Sequence, residues 1–106
     1  MEDIVKALED ETKIPTADTA FTKPQKLPFT VVLNTVESDG DDFKHRIVLH
    51  NDLAVEFYAE RIDRANEKKL EAFFDKQFWN WKRERTWLTD EKCFETIYLI
   101  NYTERV

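Results

Sequence analysis

Glycine and cysteine are almost absent from this chain of 106 residues, with one of each, and proline occurs three times. The single glycine excludes collagen-like repeats and Gly-rich linkers, and it argues against a Gly-rich phosphate-binding loop. The single cysteine, Cys93, excludes an intramolecular disulfide and argues against a cysteine-based zinc site. Because no histidine lies near it in sequence, we expect a buried thiol rather than a reactive nucleophile.

Long hydrophobic runs are also missing. No stretch approaches the roughly 20 apolar residues that a membrane-spanning helix requires. The segment Met1 to Ile4 is acidic where a secretory signal would be basic. We therefore expect a soluble protein of the cytoplasm with no membrane contact, and the length predicts one domain covering residues 1–106.

Basic residues are in deficit, with 16 Lys and Arg against 22 Asp and Glu, so the formal net charge is −6. This balance makes general nucleic-acid binding improbable. The charge is also uneven: residues 1–60 hold 13 acidic and 6 basic side chains, whereas residues 61–106 hold 9 and 10. Such opposite halves suit head-to-tail association between copies.

The first part of the chain predicts one helix and one strand. Residues 2–11 form a short amphipathic helix, which Pro15 is expected to stop. An extended connection covers residues 16–28, and the alternating, β-branched segment 29–36 predicts a strand. A hairpin loop at 38–42, which contains the only glycine, follows it.

The strongest pattern runs from residue 45 to residue 60. Apolar residues of one parity recur from Ile47 to Phe57, which predicts a single long strand in one phase, bulged near positions 51–52. At about 3.3 Å per residue such a strand is too long for a small domain. Part of it is therefore expected to project as a hairpin beyond the core.

The last part predicts a helix and two strands. Helical spacing covers residues 63–78, with Asp63 or Asn66 as the N-terminal cap. The side chains expected on its apolar face are Leu70, Phe73, Phe74, Gln77 and Phe78, and those expected to point outward are Glu67, Lys68, Glu71 and Asp75. Residues 80–87 predict a polar edge strand, and residues 93–102 predict a central strand covered on both faces.

These elements predict an α+β fold with the order α-β-β-α-β-β and a mainly antiparallel sheet of four strands with a protruding β-hairpin. Two short helices cannot cover both faces of such a sheet. One face is therefore expected to stay partly exposed, carrying Val48, Tyr58 and Ile97 or their neighbours. Exposed apolar sheet on a small domain usually marks a partner surface.

No motif for catalysis or for a cofactor is present. His45 and His50 lie five residues apart on a predicted strand, so their side chains point to opposite faces and cannot hold one metal ion. The acidic run at 39–42 lacks the spacing of a calcium loop. No nucleophile elbow, P-loop or Ser/His/Asp arrangement occurs. We expect neither an enzyme nor a bound cofactor or metal.

The segment 79–87 is unusual, because it places three tryptophans among three basic residues. Three interpretations stay open. The tryptophans roof the core, or they form a protein–protein hot spot with the arginines. In the third, the segment is a stacking platform for single-stranded nucleic acid, which makes the chain a small nucleic-acid-binding or regulatory module through Trp81, Lys82, Arg83, Arg85 and Trp87.

The order of several short motifs resembles a known group of proteins. The motifs are Lys13-Ile14-Pro15, Ala20-Phe21, Leu27-Pro28-Phe29-Thr30-Val31, Ala54-Val55-Glu56-Phe57-Tyr58-Ala59-Glu60 and Leu70-Glu71-Ala72-Phe73-Phe74-Asp75. Together they resemble small proteins encoded in the head–tail joining region of tailed phages and of prophages of Gram-positive bacteria. The element order is similar to that of tail-terminator, or tail-completion, proteins of long-tailed phages.

This resemblance implies a structural virion component without catalytic residues. It implies self-association into a ring, with a hexamer as the suggested size, that caps the tail tube, docks to the head connector and lets DNA pass without specific binding. The expected locations are the host cytoplasm and then the virion. The interface residues expected in this role are Glu56, Tyr58, Trp81, Arg83 and Arg85, and the loop residues expected at a docking tip or in the lumen are Asp39, Asp41 and Asp42.

Overall fold

A single β-sheet carries two helices on one of its faces. The structure, a computed structural model, describes residues 2–23, 25–34 and 47–105. The elements in chain order are α1 (Glu2–Thr12), β1 (Thr16–Asp18), β2 (Phe29–Asn34), β3 (Ile47–Ala59), α2 (Arg64–Lys76), β4 (Asn80–Leu88) and β5 (Cys93–Arg105). The α+β class and the two helices are therefore confirmed.

The sheet is mixed and has five strands in the order β1-β2-β3-β5-β4. Strand β1 runs parallel to β2, whereas all other neighbours are antiparallel. The predicted element order α-β-β-α-β-β and its four-stranded sheet are therefore wrong in one point, because they lack strand β1. Strand β1 lies in the predicted extended connection, and three residues are too few for an alternating pattern to reveal a strand.

Helix α1 ends one residue later than predicted and before Pro15. The Thr12 hydroxyl donates to the Leu8 carbonyl at 2.7 Å, and Lys13 follows with a φ of 63°. The Lys13 N–H still donates to the Glu9 carbonyl. The helix is therefore closed by a left-handed residue, and Pro15 only prevents it from resuming.

Strand β3 contains the predicted bulge. Its register with β5 shifts between His50 and Leu53, where β3 has one residue more than β5. The registers on the two sides differ by one residue, so the single phase predicted for 47–57 does not hold across the bulge. The sequence pattern of β3 alone does not show how its residues pair with those of β5, so it could not reveal this shift of register.

The pair β3–β5 extends beyond the rest of the sheet. Its last described pair joins Ile47 to Arg105, several residues beyond the ends of β2 and β4. Among the described residues, β3 and β5 form a projecting ribbon. The predicted hairpin between β2 and β3 falls on residues 35–46, outside the described part of the chain, and stays a prediction. The loop predicted at 38–42 lies outside the described residues.

Helix α2 is defined by its cap and by its apolar face. The Asp63 side chain accepts a hydrogen bond from the Asn66 N–H at 3.1 Å, which confirms one of the two predicted caps. Three apolar residues are buried as predicted: Leu70, Phe73 and Phe74. Glu67 is buried too, at 1% exposure, so the prediction that it points outward is wrong.

The core lies between the helices and one face of the sheet, and it joins Leu8 of α1 to Phe74 of α2 and Val55 of β3. Strand β4 is an edge strand and β5 a central one, as predicted. However, β5 is not covered on both faces. Tyr98 is fully buried under the helices, whereas Leu99, on the opposite face, is 46% exposed.

Candidate interaction surfaces

One face of the sheet, here called the open face, carries neither described helix. Its members are Phe29, Val31 and Leu33 on β2, Ala54, Glu56 and Tyr58 on β3, Lys82, Glu84 and Thr86 on β4, and Glu95, Ile97 and Leu99 on β5. Leu99 is exposed, and Ile97 beside it is half-buried. Among the described residues, this face is therefore partly exposed, as the sequence predicts, although Val31 on it is buried. The prediction that Val48 lies on this face is wrong, because the bulge pairs Val48 with Glu104 on the opposite face.

Two carboxylates and one phenol form a cluster on this face. The Tyr58 Oη lies 2.9 Å from Glu56 Oε1 and 2.8 Å from Glu95 Oε2. The phenol has one proton, so it cannot donate fully to both carboxylates. Burial raises the pKa of Glu56, the Tyr58 hydrogen bond partly offsets this effect, and the charge of Glu95 raises the pKa further. The cluster therefore favours a cationic neighbour.

A groove lies next to this cluster, here called the aromatic groove, with a volume of about 470 Å³. Residues 19–23 and Gln25 form one wall, and Phe29, Val31, Glu56 and Tyr58 line the sheet side. The Phe21 ring meets Phe29 edge-on at 5.4 Å, and Phe29 stacks on Tyr58 at 5.0 Å. The groove thus has aromatic walls, and its charged lining residues are Glu56 on the sheet side and Lys23 on the other wall.

On the opposite face, Glu67 is enclosed between α2 and the strands β4 and β5. Its carboxylate accepts hydrogen bonds from Arg85 Nη2 at 2.6 Å, Arg64 Nη1 at 2.6 Å and the Thr96 hydroxyl at 2.7 Å. Burial alone would raise the pKa of Glu67. The hydrogen bonds from Arg85, Thr96 and Arg64 outweigh burial and hold this pKa at about 2.

Glu71 lies one turn further along α2 and has similar partners. It accepts hydrogen bonds from Arg83 at 2.7 Å, from the Tyr98 hydroxyl at 2.9 Å and from Arg64 at 3.1 Å. Burial opposes these bonds, which nevertheless lower the pKa of Glu71. The charges of Arg83 and Arg85 are thus paired within the subunit.

Two of the three tryptophans of 79–87, Trp79 and Trp81, fit the interpretation that they roof the core. Trp79 and Trp81 pack against Phe74, with ring centroids 6.1 and 6.5 Å away. The Trp81 indole N–H also donates to Asp75 at 2.9 Å. Trp87 is 47% exposed and meets Phe94 edge-on at 4.9 Å.

The five predicted interface residues divide between the two faces of the sheet. Glu56 and Tyr58 lie on the open face, and Trp81, Arg83 and Arg85 lie on the face that carries the helices. The structure joins Glu56 and Tyr58 to Glu95, which the sequence did not indicate. The predicted loop residues, Asp39, Asp41 and Asp42, lie outside the described residues. Contact of these eight residues with a partner or a lumen stays a prediction.

Phe78 is a surface feature that the sequence analysis missed. Trp79 N–H donates to the Phe74 carbonyl and Phe78 N–H to the Asp75 carbonyl, both at 3.0 Å, so α2 ends in a Schellman motif. Phe78 occupies the left-handed position of this motif, with a φ of 61°. Glycine is usual there, and an L-residue costs about 1 kcal/mol. Because the helix ends at Lys76, the Phe78 ring is 91% exposed instead of lying on the predicted apolar face.

Cys93 is buried, as predicted, and burial raises the pKa of its thiol, with Glu91 and Glu95 adding to the effect. Within residues 2–23, 25–34 and 47–105, no group of three or more His, Cys, Asp or Glu side chains is arranged to hold a metal ion. In the same ranges, neither helix has the length and apolar character needed to cross a membrane.

Compared with protein-family models and with curated proteins, the sequence matches none. The functional proposal therefore depends on the sequence and on the surfaces described above.

Proposed function

We propose that this chain is a structural, non-enzymatic subunit that self-associates into a ring at the head–tail junction of a tailed phage or prophage particle. There it closes the tail tube and docks to the head connector, the tail-terminator role that the sequence resemblance implies. It is made in the host cytoplasm and then joins the virion, with six copies as the ring size that the resemblance suggests.

The open face is the observation that carries self-association. The helices bury one side of the sheet completely at Val55 and Tyr98. The other side leaves Leu99 exposed beside half-buried Ile97. Uncovered apolar sheet on a small subunit favours a protein partner, because burial removes that surface from water.

Local patches of opposite charge are compatible with a head-to-tail arrangement. The acidic pair Glu56 and Glu95 lies on the open face, and two exposed lysines, Lys68 and Lys69, lie on α2 across the sheet. Complementary charges on different surfaces suit heterologous contacts, which close into rings when the rotation between neighbours permits it. An acidic lumen in such a ring would repel passing DNA and so avoid binding it.

The alternative, a nucleic-acid-binding or regulatory module based on 79–87, has less support. Stacking on this segment would require Arg83 and Arg85 to leave Glu71 and Glu67. It would also require Trp81 to leave its place against the core. The attraction of Arg83 and Arg85 to phosphate is already offset by their ion pairs with Glu71 and Glu67.

Light scattering coupled to size-exclusion chromatography tests the proposal from about 10 μM to about 1 mM protein. We expect ring-sized oligomers, visible as annuli by negative-stain electron microscopy, that bind purified tails lacking their terminator. Leu99→Lys should weaken assembly, whereas Thr89→Lys, an equal charge change in the exposed β4–β5 turn, should not. A strict monomer that never joins tails contradicts the proposal, and steeply salt-dependent binding to a labelled oligonucleotide would favour the alternative.

A further inference from the structure

We propose that Phe78 of one copy inserts into the aromatic groove of the next copy. This inference rests on the proposed function, because it names the contact through which neighbouring subunits of the ring meet. The occupant of the groove is therefore a second copy of this chain, and Phe78 with the end of α2 is the inserted element.

Phe78 combines two unfavourable features in the isolated subunit. Its backbone takes a left-handed conformation that glycine adopts without strain, and its ring is almost fully in water. Three other described residues, Lys13, Thr19 and Lys92, share a positive φ, but none of them exposes an apolar ring. A contact that buries the Phe78 ring would compensate for both features at once.

The aromatic groove has the chemistry to receive such a ring. Phe21, Phe29 and Tyr58 present faces and edges to the same space, and aromatic rings pack favourably in edge-to-face or offset arrangements. The groove is open to solvent, so a ring that projects from a turn can reach it.

Charge around the two surfaces is complementary. Lys76 precedes Phe78 by two residues, and its ion pair with Glu11 is exposed at the surface. Such pairs contribute little, so Lys76 can exchange its partner readily. At the groove, Glu56 and Glu95 compete for one phenolic proton and favour a cation, and within the described part of the chain the lining cation Lys23 forms no ion pair with either of them. Insertion of Phe78 would bring Lys76 of one copy towards Glu56 and Glu95 of the next.

The positions of the two surfaces predict the symmetry of the assembly. Phe78 lies at the end of α2, on the side of the sheet that carries the helices, whereas the groove lies on the open face. A contact between two different surfaces is heterologous, and each copy then offers one Phe78 and one groove. This arrangement generates rings or filaments rather than isolated pairs.

Phe78→Gly tests the contact with a variant that is not expected to unfold. Glycine relieves the positive φ, so in dilute solution the midpoint of thermal unfolding should rise by roughly 4 °C. Self-association should weaken at least about 30-fold, as for a buried aromatic hot spot. Lys92→Gly is the matched control, because it relieves a φ of 53° outside both surfaces and should keep assembly intact. Assembly of Phe78→Gly at wild-type strength would overturn the inference.

A mixing experiment tests where Phe78 binds. Ala20→Trp fills the groove and keeps Phe78, whereas Phe78→Gly keeps the groove. Each variant alone should be a monomer, and an equimolar mixture should form one heterodimer through the single remaining contact. A mixture that stays monomeric would overturn the inference.

The outcomes separate this inference from the proposed function. A wild-type chain that stays monomeric up to about 1 mM overturns both. A wild-type ring that persists in Phe78→Gly overturns only the contact. If the Phe78→Gly ring persists but no longer binds tails, Phe78 contacts a tail protein, and the proposed contact between copies is again overturned.

Discussion

At the scale of single residues, Glu67 decides how α2 sits on the sheet. A carboxylate buried to this degree is tolerated only when its hydrogen bonds and charge are satisfied. Arg85 of β4 and Thr96 of β5 supply partners from the sheet, and Arg64 supplies one from the helix itself. The position of the helix is therefore tied to two strands through one polar side chain.

Glu67→Gln is expected to lower the free energy of unfolding at neutral pH by about 2–4 kcal/mol. The amide cannot neutralise two guanidinium groups and leaves Arg85 without a charged partner. Urea denaturation followed by circular dichroism measures the loss. Glu84→Gln, an exposed change on the open face, should stay within about 0.5 kcal/mol of the wild type.

Comparison of the wild type with Glu67→Gln also shows how the contribution of Glu67 to stability depends on pH. The pKa of Glu67 is about 2 in the folded chain, below its ordinary value of 4.5. Its stabilising contribution is therefore complete above the ordinary value and disappears as the pH falls towards the folded value. The stability difference between wild type and Glu67→Gln should shrink between pH 4.5 and about 2, and a constant difference over this range would contradict the assignment.

At the scale of elements, local chemistry at the ends decides where helices begin and stop. Asp63 accepts a hydrogen bond from the Asn66 N–H at the start of α2, and Asp63 is one of the two caps that the sequence predicts there. The end of α2 is different, because a Schellman motif normally carries glycine and here carries Phe78. With Leu70 and Phe74 at helical spacing before it, Phe78 continues an apolar stripe, and nothing in the local pattern marks the stop.

Asp63→Ala is expected to lower the free energy of unfolding by about 1 kcal/mol, because the Asn66 N–H loses its acceptor. Thermal or urea unfolding measures the change. Asp90→Ala, which removes a carboxylate from the exposed β4–β5 turn, serves as the control and should have little effect. Equal losses in the two variants would show that the cap does not contribute.

At the scale of the whole molecule, the fold is one-sided. Both helices lie on the same face of the sheet, and their core residues contact one another and the strands as a single cluster. A core shared in this way favours cooperative unfolding. The other face leaves Leu99 exposed, and the proposed assembly would bury it.

Far-ultraviolet circular dichroism and tryptophan fluorescence should report one coincident unfolding transition, because Trp79 and Trp81 pack on Phe74 of α2. The midpoint should rise with protein concentration, since assembly stabilises only the folded chain. In Phe78→Gly this rise should begin only at concentrations at least about 30-fold higher. Separate transitions, with helix lost before fluorescence changes, would contradict a single cooperative core.

The sequence by itself determined the features that depend on neighbouring residues: the α+β class, both helices, a cap at Asp63 or Asn66, the edge position of β4 and the bulge in β3. These follow from side-chain periodicity and backbone hydrogen bonding over a few positions. Only the tertiary structure decided that β1 joins the sheet, that Glu67 is buried and that Glu95 meets Tyr58. Each of these features depends on contacts between residues that are far apart in the sequence. The local pattern does not show which distant strand supplies the hydrogen-bond partner of a buried polar group.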